Sequence, residues 1–256
     1  MQNNHLTDTI AIKRVSEDPK AGLFEIDGLY GGYGITVGNA IRRVLLSSLR
    51  GAAITQVKMK GASHEFTTLP GVKEDVVELM LNLKKVRLLL ETDEAQVLRL
   101  KKKGESEVTA GDIEAPTGVR IVNPDFHLAT LTEKQSELDF ELTVEHGLGY
   151  VPAEVRKTEK LPIGVIALDA VFSPVTRVNF SVENMRVGER TDYNRLRVAV
   201  ETDGTISPSA ALAQASAILA DHFTRIGGIP VQTFEASPGT AGAGSEKPKR
   251  ARKKKE

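Results

Sequence analysis

The feature that most constrains this chain is Gly31-Gly-Tyr-Gly-Ile-Thr-Val-Gly-Asn-Ala-Ile-Arg-Arg-Val-Leu-Leu-Ser-Ser-Leu49. Its glycine-rich start permits backbone angles closed to residues with a β-carbon. From Val37 the pattern is helical, with Val37, Ile41, Val44, Leu45 and Ser48 on one face. Asn39, Arg43, Leu46 and Arg50 fall opposite, and Gly51 reads as the stop signal. One short helix therefore carries an apolar stripe that must be covered and an arginine–leucine face. Arginines on a wet helix face are ordinarily just solvated. The company of Asn39, Leu46 and Arg50 gives Arg43 a second reading, as a grip on another protein.

A second amphipathic helix is expected near the other end of the ordered chain. Ser207-Pro208 supplies a cap and a first-turn proline. Leu212, Ala215, Ser216, Leu219, Phe223 and Ile226 then share one face, until Gly227-Gly228. Between the two helices lies a β-rich middle. Ala53–Lys60, Phe140–Val144, Val175–Val182 and Arg195–Glu201 alternate as strands, as do Thr9–Lys13 and Gly22–Ile26 ahead of the first helix. His64–Thr68 and Ile163–Leu168 read as short strands, and Val86–Leu90 with Val97–Leu100 as a hairpin, while Lys101–Gly104 reads as a loop. Val72, Val76, Met80 and Leu83 line a middle helix whose wet side carries Lys73, Glu74, Asp75 and Glu78. The fold class is α+β. A discontinuous unit, 1–50 with 173–228, combines a sheet and two amphipathic helices; residues 51–172 form an inserted β-rich subdomain. Residues 229–256, ending in Lys247-Pro-Lys-Arg-Ala-Arg-Lys-Lys-Lys-Glu256, read as a disordered basic tail.

Composition narrows the chemistry. Cysteine is absent, which removes thiolate and disulfide chemistry and fits a reducing, cytoplasmic setting. The 34 basic and 34 acidic side chains balance, so no global charge draws the chain to nucleic acid or membrane. No apolar run reaches membrane-spanning length. The glycines at 31–34 lack the spacing of a dinucleotide or phosphate loop. His5, His64, His127, His146 and His222 are scattered, with no pair at metal-ligand spacing. His222 reads as a packing or interface histidine. Nothing resembles a catalytic constellation, so a binding or assembly protein is the expectation, with no catalytic residue and no metal ligand.

Six collinear segments carry a resemblance: Gly38–Leu49, Gly71–Lys84, Gly147-Leu-Gly-Tyr-Val-Pro-Ala153, Asp169-Ala-Val-Phe-Ser-Pro-Val175, Arg190-Thr-Asp192 and Glu201-Thr-Asp-Gly-Thr205. In order and spacing they resemble the bacterial RNA polymerase alpha-subunit family. The resemblance implies a homodimer that scaffolds the beta and beta-prime subunits for DNA-templated transcription. It implies a dimer interface through Val37, Ile41, Val44, Leu45, Leu212, Ala215, Leu219 and Phe223. It also implies large-subunit contacts through Arg43, Leu46, Glu78, Lys84, Leu168, Asp169, Arg186 and Arg190. Nucleotidyl transfer and its magnesium then belong to the large subunits, and no cofactor is expected in this chain. Members of the family usually continue into a helical DNA-binding domain. Here the basic tail stands in that place, with weak, sequence-blind DNA affinity as the expectation beside DNA contact through the assembled enzyme. The alternative is a stand-alone homodimeric adaptor of the same fold.

Overall fold

The computed structural model describes residues 9–62, 64–157, 162 and 164–230. The tail assignment lies outside the described residues from 231 onward. In chain order the elements are β1 (Ala11–Glu17), β2 (Ala21–Leu29), α1 (Tyr33–Ser47), β3 (Arg50–Met59), α2 (Val76–Leu83), β4 (Leu88–Leu90) and β5 (Gln96–Lys103). Then come β6 (Ser106–Thr109), β7 (Ile113–Glu114), β8 (Val119–Ile121), β9 (His127–Leu131), β10 (Glu137–Leu148) and β11 (Tyr150–Val151). Finally come α3 (Ala153–Lys157), β12 (Val165–Ala167), β13 (Ala170–Val171), β14 (Val175–Val187), β15 (Arg190–Thr202) and α4 (Pro208–Gly227).

The two ends of the chain meet in an antiparallel four-stranded sheet ordered β1-β2-β15-β14. Alternation explains its faces. Phe24 and Ile26 on β2, Leu196, Val198 and Val200 on β15, and Val178 on β14 are buried toward α1 and α4. The opposite face is charged. Asp27, buried to 5% exposure, binds Arg195 at 2.6 Å and Lys13 at 3.0 Å. Arg197 bridges Glu25 at 2.7 Å and Glu183 at 2.8 Å. The Arg195 hydrogen bond, with Lys13 in support, holds the Asp27 carboxyl below its ordinary value despite the opposing effect of burial. A carboxylate depressed in the folded state stabilises the fold above its unfolded pKa and loses that contribution as pH falls through the folded one. Asp27→Asn should therefore be less stable than wild type at neutral pH. The gap should narrow as pH falls through and below the ordinary aspartate range, read as urea midpoints across a pH series. A gap that stays constant with pH would refute this role for Asp27.

Helix α1 lies on this sheet through Gly34, Gly38, Ile41 and Leu45. A β-carbon on Gly38 would stand 2.7 Å from the Phe180 ring, so the glycine allows the helix to sit close. The start of α1 is earlier than the expected Val37. Gly32 adopts φ 86° ahead of Tyr33, and the Asn194 side chain accepts from the Gly32 and Gly34 amides at 2.9 and 3.3 Å. Its end is earlier too: Ser48 caps it, so Gly51 is no stop signal and Arg50 is not on the helix. Arg50 opens β3 and pairs with Asp93 at 2.7 Å.

The middle of the chain forms a second sheet, β7-β5-β10-β3-β4-β8, with β12 also on β3. Met59, Phe140 and Leu100 are aligned across β3, β10 and β5, and all are buried. Helix α2 closes this core with Val76, Leu79 and Leu83. It begins at Val76 because Asp75 accepts from the Glu78 amide at 2.7 Å; Val72 instead bridges Leu131. Four expectations fail here. β4 and β5 do not pair with each other, because β4 joins β3 and β8 while β5 joins β10 and β7. Lys101–Lys103 belong to β5, where Lys101 and Lys103 meet Glu137 on one face and Lys102 meets Asp112 on the other. Residues 64–68 form no strand. Glu74 is not wet. It is buried, accepting from the Thr130 amide at 2.7 Å and hydroxyl at 3.0 Å, with the His127 ring at 3.2 Å.

Candidate functional site

Four surfaces hold the residues singled out by the sequence. On α1, Arg42 and Arg43 are exposed and Leu46 is 36% exposed, on the side away from the sheet. The helix thus presents two arginines flanking an apolar side chain.

On the inserted sheet, Lys84 follows α2 and reaches Asp169 at 3.0 Å, with its ammonium 5.5 Å from the centre of the Tyr150 ring. Asp169 also accepts from the Ala153 amide at 2.9 Å. That amide first, then Lys84, holds its carboxyl below the ordinary value. Next to the pair lies a cleft of about 230 Å³ lined by Met80, Leu81, Lys84, Glu154 and Asp169, with Glu78 exposed one turn earlier on α2. Leu168 is 2% exposed and packed within the inserted core, and it forms part of the wall of this cleft. Its neighbour Asp169 carries the accessible chemistry.

At the far end of the β14–β15 hairpin, Arg190 makes two hydrogen bonds to Asp192, at 3.0 and 2.6 Å. Its guanidinium lies 4.7 Å from the Tyr30 ring and 5.3 Å from Tyr193. Such a stack holds the side chain in one pose. Arg186 donates to the Gly188 carbonyl at 2.8 Å.

The fourth surface is α4. Its first half is consumed within the chain: Ala211 and Ala215 are fully buried, and Leu212 and Leu219 are half-buried against the same core. Ile41 and Leu45 of α1 are likewise in that core, with Val37 and Val44 at its margin. For Ile41, Leu45 and Ala215 the expected place in an interface between copies is thus corrected. The chain's own sheet already covers them. From Ala220 on, α4 leaves the sheet. Phe223 is 65% exposed and Ile226 58%, with Ile229 at 65% just beyond the helix. An open groove of about 490 Å³ lies between β1, β2 and the start of α4, lined by Ile12, Phe24, Ile26 and Leu212. Ile12 in it is 69% exposed. His222 sits on the exposed end of α4 and bonds the Ile218 carbonyl at 2.8 Å.

Among the described residues, no group of three or more histidine or acidic side chains is placed to hold a metal ion. No helix among them is long and apolar enough to cross a membrane.

The sequence matches known proteins in the same terms. Residues 57–173 match the RNA polymerase Rpb3/RpoA insert domain, which covers the second sheet from within β3 to Ser173. A DNA-directed RNA polymerase subunit alpha from Symbiobacterium thermophilum is 52% identical over 208 residues, 81% of this chain and 66% of the relative. The corresponding subunit of Desulforudis audaxviator is 50% identical over 220 residues, 85% of this chain and 70% of the relative. That of Roseiflexus sp. is 46% identical over 230 residues, 90% of this chain and 71% of the relative. The chain thus spans about two thirds of the length of these relatives. With an inserted β-rich sheet set between the two halves of a helix-bearing one, and identity of this level across most of its length, the chain belongs to the family of DNA-directed RNA polymerase alpha subunits.

Proposed function

We propose that this chain is the non-catalytic scaffold of a DNA-directed RNA polymerase: it forms a homodimer on which the beta and beta-prime subunits assemble. The observation that carries the reading is the uncovered end of α4. Phe223 and Ile226 are exposed on a helix, and Ile229 just past its end, and the neighbouring groove around Ile12 and Leu212 is open and apolar. A second copy supplies the same two features, and a two-fold arrangement buries both sets at once. Val37, Val44, Leu212, Leu219 and Phe223 are the members of the expected interface that remain within reach of such a copy. On this reading 1–50 and 173–228 are the dimerisation unit and 51–172 the inserted one.

Large-subunit contact is assigned to two separated surfaces, Arg43 with Leu46 on α1, and Glu78, Lys84 and Asp169 on the inserted sheet. Arg186 and Arg190 form a third, at the hairpin end. Phosphodiester chemistry and its magnesium reside in the large subunits, and DNA is met through the assembled enzyme.

The test is co-expression with both large subunits, followed by size exclusion. Recovery of one complex with two copies of this chain is the expected result. A chain that elutes alone, as a dimer, points instead to a stand-alone adaptor. Arg43→Ala should leave the dimer intact and weaken recruitment of the beta subunit about tenfold, the scale of one interface arginine. Normal yield of complex with that variant would remove Arg43 from the interface.

A further inference from the structure

The chain passes between its two sheets twice, at Leu49–Gly51 and at Phe172–Val175, and the two crossings touch. A β-carbon on Gly51 would fall 1.8 Å from the Phe172 carbonyl oxygen, with Pro174 also adjacent. Two strands crossing side by side form a single pivot, which fixes a point but not an angle. Packing beside the pivot is incomplete: a cavity of about 220 Å³ lies between the sheets, walled by Leu88 and Leu90 on one side and by Pro174, Ile206 and Gln214 on the other. Asp203 and Thr205, in the turn after β15, also line this cavity. Arg87, between α2 and β4, places its guanidinium 3.8 Å from Asp203. The Asp203 side chain is 8% exposed and that of Arg87 26%. Each member is held from its own side. Asp203 accepts from the Thr205 amide at 2.9 Å and its own amide donates to the Pro174 carbonyl at 2.9 Å. The Arg87 amide donates to the Asn123 side chain at 2.8 Å, and its carbonyl accepts from Val122 at 2.9 Å. Gly204, at φ 94°, lets the turn approach Val122: a β-carbon there would lie 3.3 Å from the Val122 methyl.

We propose that Arg87 and Asp203 are positioning residues that latch the inserted sheet at one angle to the helix-bearing sheet, and so set the spacing between the two large-subunit surfaces. The consequence for assembly rests on the scaffold reading above; the latch itself does not. An ion pair across this cavity, with Asp203 seated against the crossing through Pro174, adds a tie between the sheets that the two crossing strands do not themselves supply. It keeps the α1 surface and the Lys84–Asp169 surface in one relation before either partner arrives. Partners that must engage both surfaces then lose less freedom on binding.

The test uses the whole chain, whose lack of cysteine allows clean labelling. Spin labels at Thr36→Cys on α1 and Val97→Cys on β5, both exposed, report the inter-sheet distance. Excess unlabelled chain ensures that only distances within one copy are read. Arg87→Gln and Asp203→Asn remove charge while the asparagine can still accept from Thr205. Each should broaden the distance distribution about twofold, with helix content and thermal midpoint unchanged, and the double variant should be no broader than either single one. Yield of complete complex with both large subunits should fall about fivefold, on the scale of a partly buried ion pair. An unchanged width in Arg87→Gln, or additive broadening in the double variant, would overturn the latch. Broadening with normal assembly would overturn its role in setting the spacing. Failure of the wild-type chain to recruit the large subunits would reject the scaffold reading, while the distances still decide the latch.

Discussion

Phe223→Asp should dissociate the homodimer and leave each copy folded. Phe223 is 65% exposed in the single chain, so its replacement disturbs no core. In a two-fold dimer the same residue is lost from both sides. Each buried phenylalanine contributes about 2 kcal/mol of apolar burial, so the pair amounts to about 4 kcal/mol. This corresponds to a weakening of nearly a thousandfold, before the cost of placing two carboxylates in an apolar contact. Sedimentation over a concentration series reads it directly. Wild type should remain dimeric on dilution, whereas the variant sediments as a monomer with unchanged circular dichroism. A variant that stays dimeric at low concentration would place the interface elsewhere. Leu219→Asp is the less discriminating change. Leu219 also packs on the chain's own core, so loss of folding and loss of dimer would arrive together.

The second large effect is expected at the crossing between sheets. Gly51→Ala puts a methyl group where the Phe172 carbonyl oxygen already stands, 1.8 Å from the ideal β-carbon. Backbone yields less readily than a side-chain tip, so both crossings must separate. Overpacking of this kind costs about 3 kcal/mol, toward the upper end for a single methyl. The contrasting change is Gly32→Ala. Gly32 has open space around it, but φ 86° disfavours a β-carbon, which limits the cost to about 1–2 kcal/mol. Urea midpoints of the two variants should rank in that order. Equal midpoints would show that the crossing relaxes freely.

How far the sequence could be read is seen in particular elements. Ser207-Pro208 marks the start of α4 because a cap and a first-turn proline act locally: Ser207 accepts from the Ala210 amide at 3.3 Å. The alternation in β2 and β15 is local too, and the observed sheet follows it. The misread pair was β4 with β5. Two apolar runs close in sequence look like a hairpin, yet each had a better partner many residues away. Asn194 and Glu74 were missed for a related reason. Asn194 caps a helix from another strand, and Glu74 meets Thr130 and His127 across 56 and 53 residues. No spacing rule announces such contacts. The glycines of α1 did leave a signal: Gly34 and Gly38 stand four apart, in line with Ile41 and Leu45. Hydrophobic periodicity skips glycine, so the face that packs closest to the sheet was legible only in part.

What the sequence alone determined is the set of local preferences: where helices start, which residues share a face, and which six segments place the chain in its family. What the tertiary structure decided is what each face meets. Periodicity gives the angle of Ile41, Leu45 and Ala215 around their helices, and gives the same kind of angle for Phe223 and Ile226. It carries no information on length of overlap. The sheet extends under α1 and the first half of α4, so the former residues are spent inside the chain, and it ends before the last turns of α4, so the latter remain exposed.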